Sequence, residues 1–321
     1  MTAQAVRPCV TVVIPCYNQG DFLPSAITSV REQTYGPVEL IVVDDGSTDD
    51  THSIARSLGA ILISQENKGL SQARNVGLAA ARGEFIVMLD ADDELLPDAV
   101  AIGVEALVSS PHAAAVVGNC QSVDADGRLL PAERHVIDTT RLYREWLANN
   151  FVWAPAAAMF RRRALEQCGG FPQDLGPAAD YAVYLRLART GTVLYNPKEV
   201  ARYRQHDASM SRDPVMMLRV TLEVLRRESK AAPASLRSDF RRGRRTWRRW
   251  YGEYMIERLR TDWHAGERGA AQVQLALTLL WHCPTMAVRE AGRKLRCLLA
   301  REESTDPQAT PAAPPTGRAS G

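Results

Sequence analysis

The chain has 321 residues, 45% of them apolar and 24% charged; those proportions exclude wholesale disorder, a collagen-like repeat and a disulfide mini-protein, and the length suits one large domain or two modest ones. A formal net charge of +2 conceals an asymmetry, because residues 1–213 carry 19 basic against 26 acidic side chains and residues 214–303 carry 19 against 10. Opposite balances in two regions argue for two jobs. The six cysteines (Cys9, Cys16, Cys120, Cys168, Cys283 and Cys297) form no CxxC pair, so a zinc ribbon or redox motif is unsupported and reduced thiols in a cytosol are expected. Met1 to Arg7 lacks a long apolar run, so no signal peptide is expected. The apolar stretch Leu275 to Trp281 is too short to span a bilayer.

In chain order, Val10-Thr11-Val12-Val13-Ile14 is a β-branched run ending at Pro15 and reads as a strand buried on both faces. Phe22 to Gln33 has helical spacing. Val38 to Val43 is a second strand running into Asp44-Asp45-Gly46-Ser47, and Asp49 or Thr51 opens a helix to Leu58. Ala60 to Ile63 is a third strand. Ser71 to Arg82 is a helix with Gly83 at its C-terminal cap. Glu84 to Leu89 is a fourth strand ending in Asp90-Ala91-Asp92-Asp93, and Pro97 begins the next helix. Further strands are expected at Ala113 to Val117, Ala156 to Phe160, Thr192 to Tyr195 and Val200 to Tyr203, with a turn at Asp124 to Gly127 and a helix over Tyr181 to Thr190. Strands alternating with helices imply an α/β fold with a mixed, mostly parallel sheet. Pro214 to Glu303 reads as helical throughout, and Ser304 to Gly321 as a disordered tail.

Ligands of an open parallel sheet bind outside the carboxyl ends of its strands. Two strands here end in acidic clusters, and five converging carboxylates need a cation or a set of donors to offset their repulsion. Oxygen ligands suit Mg²⁺ or Mn²⁺, ions that usually bridge to phosphate oxygens. A nucleoside diphosphate with a divalent metal is the simplest ligand that fits. The plainer alternative is an ordinary turn and helix cap at each cluster.

Four segments in order (Val12 to Asn18, Val42 to Asp49, Gly69 to Gly77 and Leu89 to Asp93) resemble the family 2 glycosyltransferases over residues 9 to about 213. The resemblance implies a GT-A fold, Rossmann-like, over residues 1–213, with a C-terminal basic helical extension over 214–303. It also implies an inverting transferase that uses a nucleotide-diphosphate sugar, expected to be a UDP-sugar, and a divalent metal at its D-x-D motif. Carried over by position, Pro15, Tyr17 and Asn18 fall on the loop after the first strand beside base and ribose, and Asp45 accepts a hydrogen bond from the nucleobase. Arg74 falls near the nucleotide. Asp90 faces the ribose or an outer-shell water, and Asp92 binds the metal with help from Asp93. Asp180 occupies the place of the general base, although Ala179 replaces the usual neighbouring Glu and Ala182 a frequent second Asp. Tyr203 to Ser211 resembles the closing motif, with Arg204 on the diphosphate and His206 on the metal. Trp153 and Pro155 fall in the segment that lines an acceptor pocket for a glycan or lipid-linked acceptor, as in cell-surface polysaccharide or glycolipid synthesis.

The run Arg241 to Trp250 is intensely basic with interleaved aromatics. A solvated helix face and a peripheral contact with anionic lipid on the inner face of a cell membrane are both open, the second with Trp247, Trp250 and Tyr251 at the interface. Nothing resembles a base-reading module, so no nucleic-acid partner is expected. Among other functions, a flavodoxin-like receiver needs an Asp on the third strand, which ends in Ser64-Gln65-Glu66, and a Rossmann dehydrogenase needs a glycine fingerprint where Cys16-Tyr17-Asn18-Gln19-Gly20 stands. A degenerate transferase that binds nucleotide sugar without turnover is the remaining alternative, kept open by Ala179.

Overall fold

The computed structural model describes residues 7–131, 137–206 and 209–303. The expected tail at 304–321 and two residues of the closing motif, Asp207 and Ala208, lie outside them. The chain divides into two compact units, one up to Trp247 and one from Arg248.

In chain order the first unit runs β1 (Val10–Cys16), α1 (Leu23–Arg31), β2 (Val38–Asp44), α2 (Thr51–Ser57), β3 (Ile61–Ser64), α3 (Leu70–Ala80), β4 (Phe85–Met88), β5 (Glu94–Leu95) and α4 (Ala99–Ser109). It continues through β6 (Ala113–Val123), α5 (Leu142–Ala148), β7 (Ala158–Arg161), α6 (Arg162–Gln167), α7 (Ala179–Thr190), β8 (Thr192–Arg204) and α8 (Pro214–Ala231). Helix α9 (Arg237–His264) carries the chain into the second unit, which adds α10 (Ala270–His282) and α11 (Pro284–Glu303). The eight strands form one sheet in the order β3-β2-β1-β4-β7-β6-β8-β5. The pairs β1–β2, β1–β4, β2–β3 and β6–β8 are parallel, whereas β7 inserts antiparallel between β4 and β6 and β5 adds antiparallel at the β8 edge. The expected mixed, mostly parallel sheet is thus present. Its central strands are fully buried, as their unbroken β-branched runs require: Val10, Val12, Val13, Ile14, Phe85, Ile86 and Met88 are all inaccessible.

Several boundaries differ from the sequence reading for identifiable reasons. Strand β1 continues through Pro15, which pairs in register with Val43. Alternate residues of β1 bond to opposite neighbours. Val13 accepts from Leu89 on the β4 side and Cys16 from Asp45 on the β2 side, so Pro15 turns its missing N–H toward β4, past the last paired residue there. Pro15 is therefore a buried strand residue rather than a loop residue. Gly83 is not the cap of α3, which closes at an extended Ala81. It is small because β1 passes beside it: a Cβ at Gly83 would stand 2.6 Å from the Thr11 amide nitrogen. The two expected C-terminal strands are one strand, β8, whose register against β6 shifts near Asn119. Asp124 to Gly127 does form the expected turn, closed by the Arg128 carbonyl accepting from Asp124.

The charge balance changes at about residue 213, but the compact unit extends to Trp247. Helix α8 is tied to the sheet's helical layer by Glu228, buried and hydrogen-bonded by Arg189 at 2.5 Å and Tyr143 at 3.0 Å. The first turns of α9 lie against α5 so closely that a Cβ on Gly243 would stand 2.1 Å from the Leu147 carbonyl oxygen. Within the second unit, Arg260 of α9 pairs with Glu290 of α11 at 2.7 Å. Among the described residues no helix is long and apolar enough to cross a membrane.

Helix α3 approaches β1 through Gly77, where a Cβ would meet Val13 Cγ1 at 2.2 Å. At Gly103 of α4 the atoms in the way are the mobile thioether end of Met159, at 2.6 Å. Gly77→Ala is expected to destabilise by about 1–3 kcal/mol through overpacking against a stiff β-branched side chain. Gly103→Ala, relieved by Met159 and favoured by helix propensity, is expected to cost less than 1 kcal/mol, roughly. Paired urea denaturation curves check the ranking.

Candidate active site

The carboxyl ends of β1, β2 and β4 meet at the edge where the strand order changes direction about β1. Three loops leave from there, and the first two are stitched together. Asn18, held at φ 50°, accepts from the Thr48 amide at 2.8 Å and donates its own amide to Ser47 Oγ at 3.0 Å. The Asp49 carboxylate accepts from the Gly20 amide at 2.9 Å. Tyr17 is left exposed beside this stitch.

The paired acids Asp44 and Asp45 have separate duties. Asp44 accepts from the Ser47 amide at 2.9 Å and holds its own turn, the capping role that sequence left open. Asp45 is buried and reaches across to the segment before α3. Its carboxylate accepts from Gln65 Nε2 at 2.6 Å, the Lys68 amide at 2.9 Å and the Gly69 amide at 2.8 Å. A carboxylate has about four acceptor positions, so one remains.

Arg74 is the largest charged group in the interior, with 2% of its side chain exposed. Both Asp90 oxygens accept from its Nη2, at 2.7 and 3.0 Å, and its guanidinium lies 5.5 Å from the Phe171 ring centroid. Burial works against its charge, but Asp90 and Asp180 more than offset that and hold it protonated. The next residue, Asn75, clamps the Phe171 backbone in both directions, at 2.8 and 2.9 Å. That clamp brings the turn leading into α7 against α3. Asp180 thereby enters the same electrostatic unit as Asp90, although 90 residues separate them in sequence. Burial pushes the Asp180 carboxyl up from 3.8 to about 6, with Arg74 pulling it back and Asp90 pushing it further. Its Oδ1 accepts from the Tyr181 amide at 2.7 Å, as befits the first turn of a helix. Ala179 and Ala182, the positions without acids, are buried.

The D-x-D segment splits the same way. Asp92 Oδ2 lies 2.9 Å from His206 Nε2, with both side chains partly accessible. Burial, then the charge of Asp90, raises the Asp92 carboxyl. Asp93 is only 2% exposed and accepts from the Arg204 amide at 3.0 Å. Burial and the charges of Asp92 and Asp90 raise it well above the ordinary carboxylate range. It caps no helix and fastens the acidic loop to β8. Among the described residues no three potential ligands form a metal cluster, so Asp92, Asp93 and His206 do not stand together as the expected set. Asp92 with His206 is the pair that fits a divalent cation: an imidazole nitrogen and a carboxylate oxygen in contact, with Asp90 keeping the neighbourhood negative.

Arg204, expected on a diphosphate, has its guanidinium bonded to protein groups. Its Nε donates to the Asp92 carbonyl, Nη1 to the Ala125 carbonyl and Nη2 to Glu94, each at 3.0 Å. It braces the acidic loop from behind. Its guanidinium also lies 5.7 Å from the Phe22 ring centroid, while His206 stacks on that ring at 5.1 Å. Phe22, Gln65, Asn75 and Phe171 were not singled out for the site by sequence. Asn75 and the Gly69–Gly77 segment were visible as a motif, but their partners come from remote loops. Trp153 is 38% exposed, whereas Trp146 is wholly buried in a stack with Phe151 and Tyr184. Trp153 is thus a surface aromatic and not a core one.

Comparison with known proteins places this geometry. The family model described as glycosyl transferase family 2 matches residues 11–169. A chondroitin synthase of Escherichia coli is 31% identical over 191 residues, 57% of this chain and 27% of that protein. A hyaluronan synthase of Pasteurella multocida is 29% identical over the same share of this chain and 19% of its own length. The chain therefore spans about a quarter or less of these relatives. It covers 66% of an uncharacterized glycosyltransferase of Nostoc, at 30% identity over 218 residues. Among solved structures, a mannosyltransferase of Pyrobaculum calidifontis in complex with GDP-Man and Mn²⁺ superposes with a TM-score of 0.59 at 22% identity, over 91% of this chain and 88% of that one. TarS of S. aureus in complex with UDP-GlcNAc gives 0.59 at 19% identity, over 92% and 88%. The sheet, the order of its acidic loops and these likenesses agree on a GT-A fold, and the chain belongs to the family 2 glycosyltransferases.

Proposed function

We propose that the protein is an inverting glycosyltransferase that moves a sugar from a nucleoside-diphosphate donor, a UDP-sugar, to an acceptor hydroxyl of a glycan or lipid-linked glycan. The observation that carries this reading is the Asp90–Arg74–Asp180 unit around a buried guanidinium, which brings a strand-end carboxylate and a carboxyl of raised pKa from α7 into one electrostatic unit. Support for the donor comes from the remaining acceptor position on Asp45, suited to a nucleobase imide N–H, with Tyr17 and Asn18 on the adjoining loop. The solved neighbours were captured with GDP-Man and UDP-GlcNAc. The related polysaccharide synthases support a glycan acceptor, and Trp153 offers an exposed ring on which a sugar could stack.

In this reaction the acceptor oxygen bonds to the anomeric carbon as the bond from that carbon to the diphosphate oxygen breaks, and the diphosphate leaves with the electron pair. The acceptor proton goes to the Asp180 carboxylate, whose pKa of about 6 suits a base working near neutrality. Arg74 fixes Asp90 beside the leaving group and limits how far burial raises Asp180. Asp92 and His206 would hold a divalent cation, Mn²⁺ or Mg²⁺, which when bound screens the charge of the diphosphate. Arg204 and Asp93 keep that loop in place from the protein side. A second reading, donor binding without turnover, draws on the buried Ala179 and on the helix-start hydrogen bond of Asp180.

Asp180→Asn separates the two. As the base, its loss should lower kcat by about 10²–10⁴-fold with donor affinity little changed. The wild-type rate should climb about tenfold per pH unit below pH 6 and level off above it, and the variant should lack that limb. Near-normal turnover by the variant would leave Asp180 a helix-capping residue.

Asp180 also makes stability depend on pH. Its folded pKa lies above the 3.8 of the unfolded chain. The folded state therefore holds the proton more tightly, and stability falls as pH rises from about 4 through about 6. Asp180→Asn should escape that loss. Its Tm relative to wild type should rise across this window and stay level above it, as differential scanning calorimetry would register.

For the cation, Asp92→Ala should abolish Mn²⁺-dependent binding of UDP while leaving the fold intact. Calorimetric UDP affinities indifferent to EDTA, in wild type and variant alike, would remove the metal from the scheme.

A further inference from the structure

The basic run that stood out in the sequence is distributed by the helix that contains it. Phe240, Gly243, Trp247, Tyr251 and Met255 recur at helical spacing and are all buried. Trp247 packs edge-on against the Tyr181 ring with centroids 5.7 Å apart. Of the three aromatics expected at a lipid interface, Trp247 and Tyr251 are therefore interior residues, and only Trp250 is exposed. With the rotation of α9 fixed in this way, Arg237, Arg241 and Arg244 fall at i, i+4 and i+7 along one flank.

That flank faces Lys230, at the end of α8, across a concavity of about 620 Å³ whose lining also includes Ser229 and Phe240. Four cationic side chains line the hollow and no carboxylate does. Nearby arginines are neutralised: Arg226 by Glu223, Arg227 by Asp174 and Glu223, Arg242 by Asp239 and Arg249 by Glu253. Among the described residues Lys230, Arg237, Arg241 and Arg244 have no such partner.

We propose that the α8–α9 hollow is a binding site for a phosphate-bearing anion, separate from the acidic edge of the sheet. Four like charges around one hollow repel each other until an anion enters, and a concave surface of one sign concentrates potential inside it. A carboxylate brings one charge. A phosphate ester or diphosphate brings more in little volume and presents oxygens that match the guanidinium fork. The hollow has room for more than one phosphate group. This inference does not rest on glycosyl transfer and stands or falls separately from it.

The probe is inorganic pyrophosphate, titrated calorimetrically into the full chain in EDTA, where the acidic edge holds no metal to attract it. Saturable binding is expected, weakened by added salt. Arg241→Gln/Arg244→Gln and, separately, Lys230→Gln/Arg237→Gln should each weaken it at least tenfold without lowering Tm, since these side chains line a surface hollow. Phosphatidylglycerol and phosphatidylcholine vesicles identify the source of the phosphate. Sedimentation with the first alone, reversed by pyrophosphate, assigns the site to a lipid headgroup. Pyrophosphate binding without sedimentation assigns it to a phosphate carried by a soluble ligand or acceptor. Absence of saturable binding, or equal affinity in wild type and both double variants, overturns the proposal.

Discussion

A guanidinium buried to 2% exposure is tolerable only if its charge is answered nearby, because an isolated ion in the interior costs far more than a domain's net stability. Arg74 is answered on one side by both oxygens of Asp90 and lies against the face of Phe171, with the Asp180 carboxylate in its field. Each answer ties down a different element: α3 carries the arginine, the end of β4 the first acid, the turn before α7 the ring, and α7 the second acid. Removing the cation would leave the buried Asp180 carboxyl and the charge of Asp90 with nothing between them to offset either, so the arrangement is held in place by the cost of its failure. The glycine at 77, which lets α3 lie against β1, is the packing condition that puts Arg74 within reach.

One cation serves two carboxylates unequally. Asp90 takes both hydrogen bonds. Asp180 receives only the field of the charge, too little to cancel its burial, and is left near 6. The acidic loop repeats the pattern. Asp93 is turned inward and tied to β8, while Asp92 stays accessible beside His206. In the other acidic pair, Asp44 holds its own turn while Asp45 reaches across to the segment before α3.

Unbroken β-branched runs made the buried strands legible, because a strand covered on both faces needs no alternation. The carboxyl-edge position of the acids followed from strand order. Sequence could not apportion duties within Asp44-Asp45 or Asp92-Asp93, since identical side chains one residue apart differ only in which remote backbone N–H they meet. Arg204 was legible as a motif member and not as a brace, because its partners Asp92, Ala125 and Glu94 sit on other elements. Gly83 carries the composition of a helix cap, and only the passage of β1 beside it reveals a steric reason for its size. Trp247 sits in a run of high charge density, yet Phe240, Gly243 and Trp247 already trace one helical face.

That period also governs how the basic region is understood. Most arginines on α9 are the outer surface of an amphipathic helix, and several are neutralised within a turn by Glu or Asp. Net charge counted along a sequence therefore overstates the field available to a partner. What remains includes a local group, Lys230, Arg237, Arg241 and Arg244, that geometry gathers around one hollow and that no acid meets among the described residues. The same accounting applies to the acidic edge, where Asp44, Asp45, Asp49 and Asp93 are largely consumed by backbone amides. Of the two D-x-D acids, Asp92 and the part of Asp90 that Arg74 does not cover stay accessible there. Once internal pairing is discounted, the opposite charge balances of the two sequence regions come down to one acidic loop at the sheet edge and one basic hollow between α8 and α9.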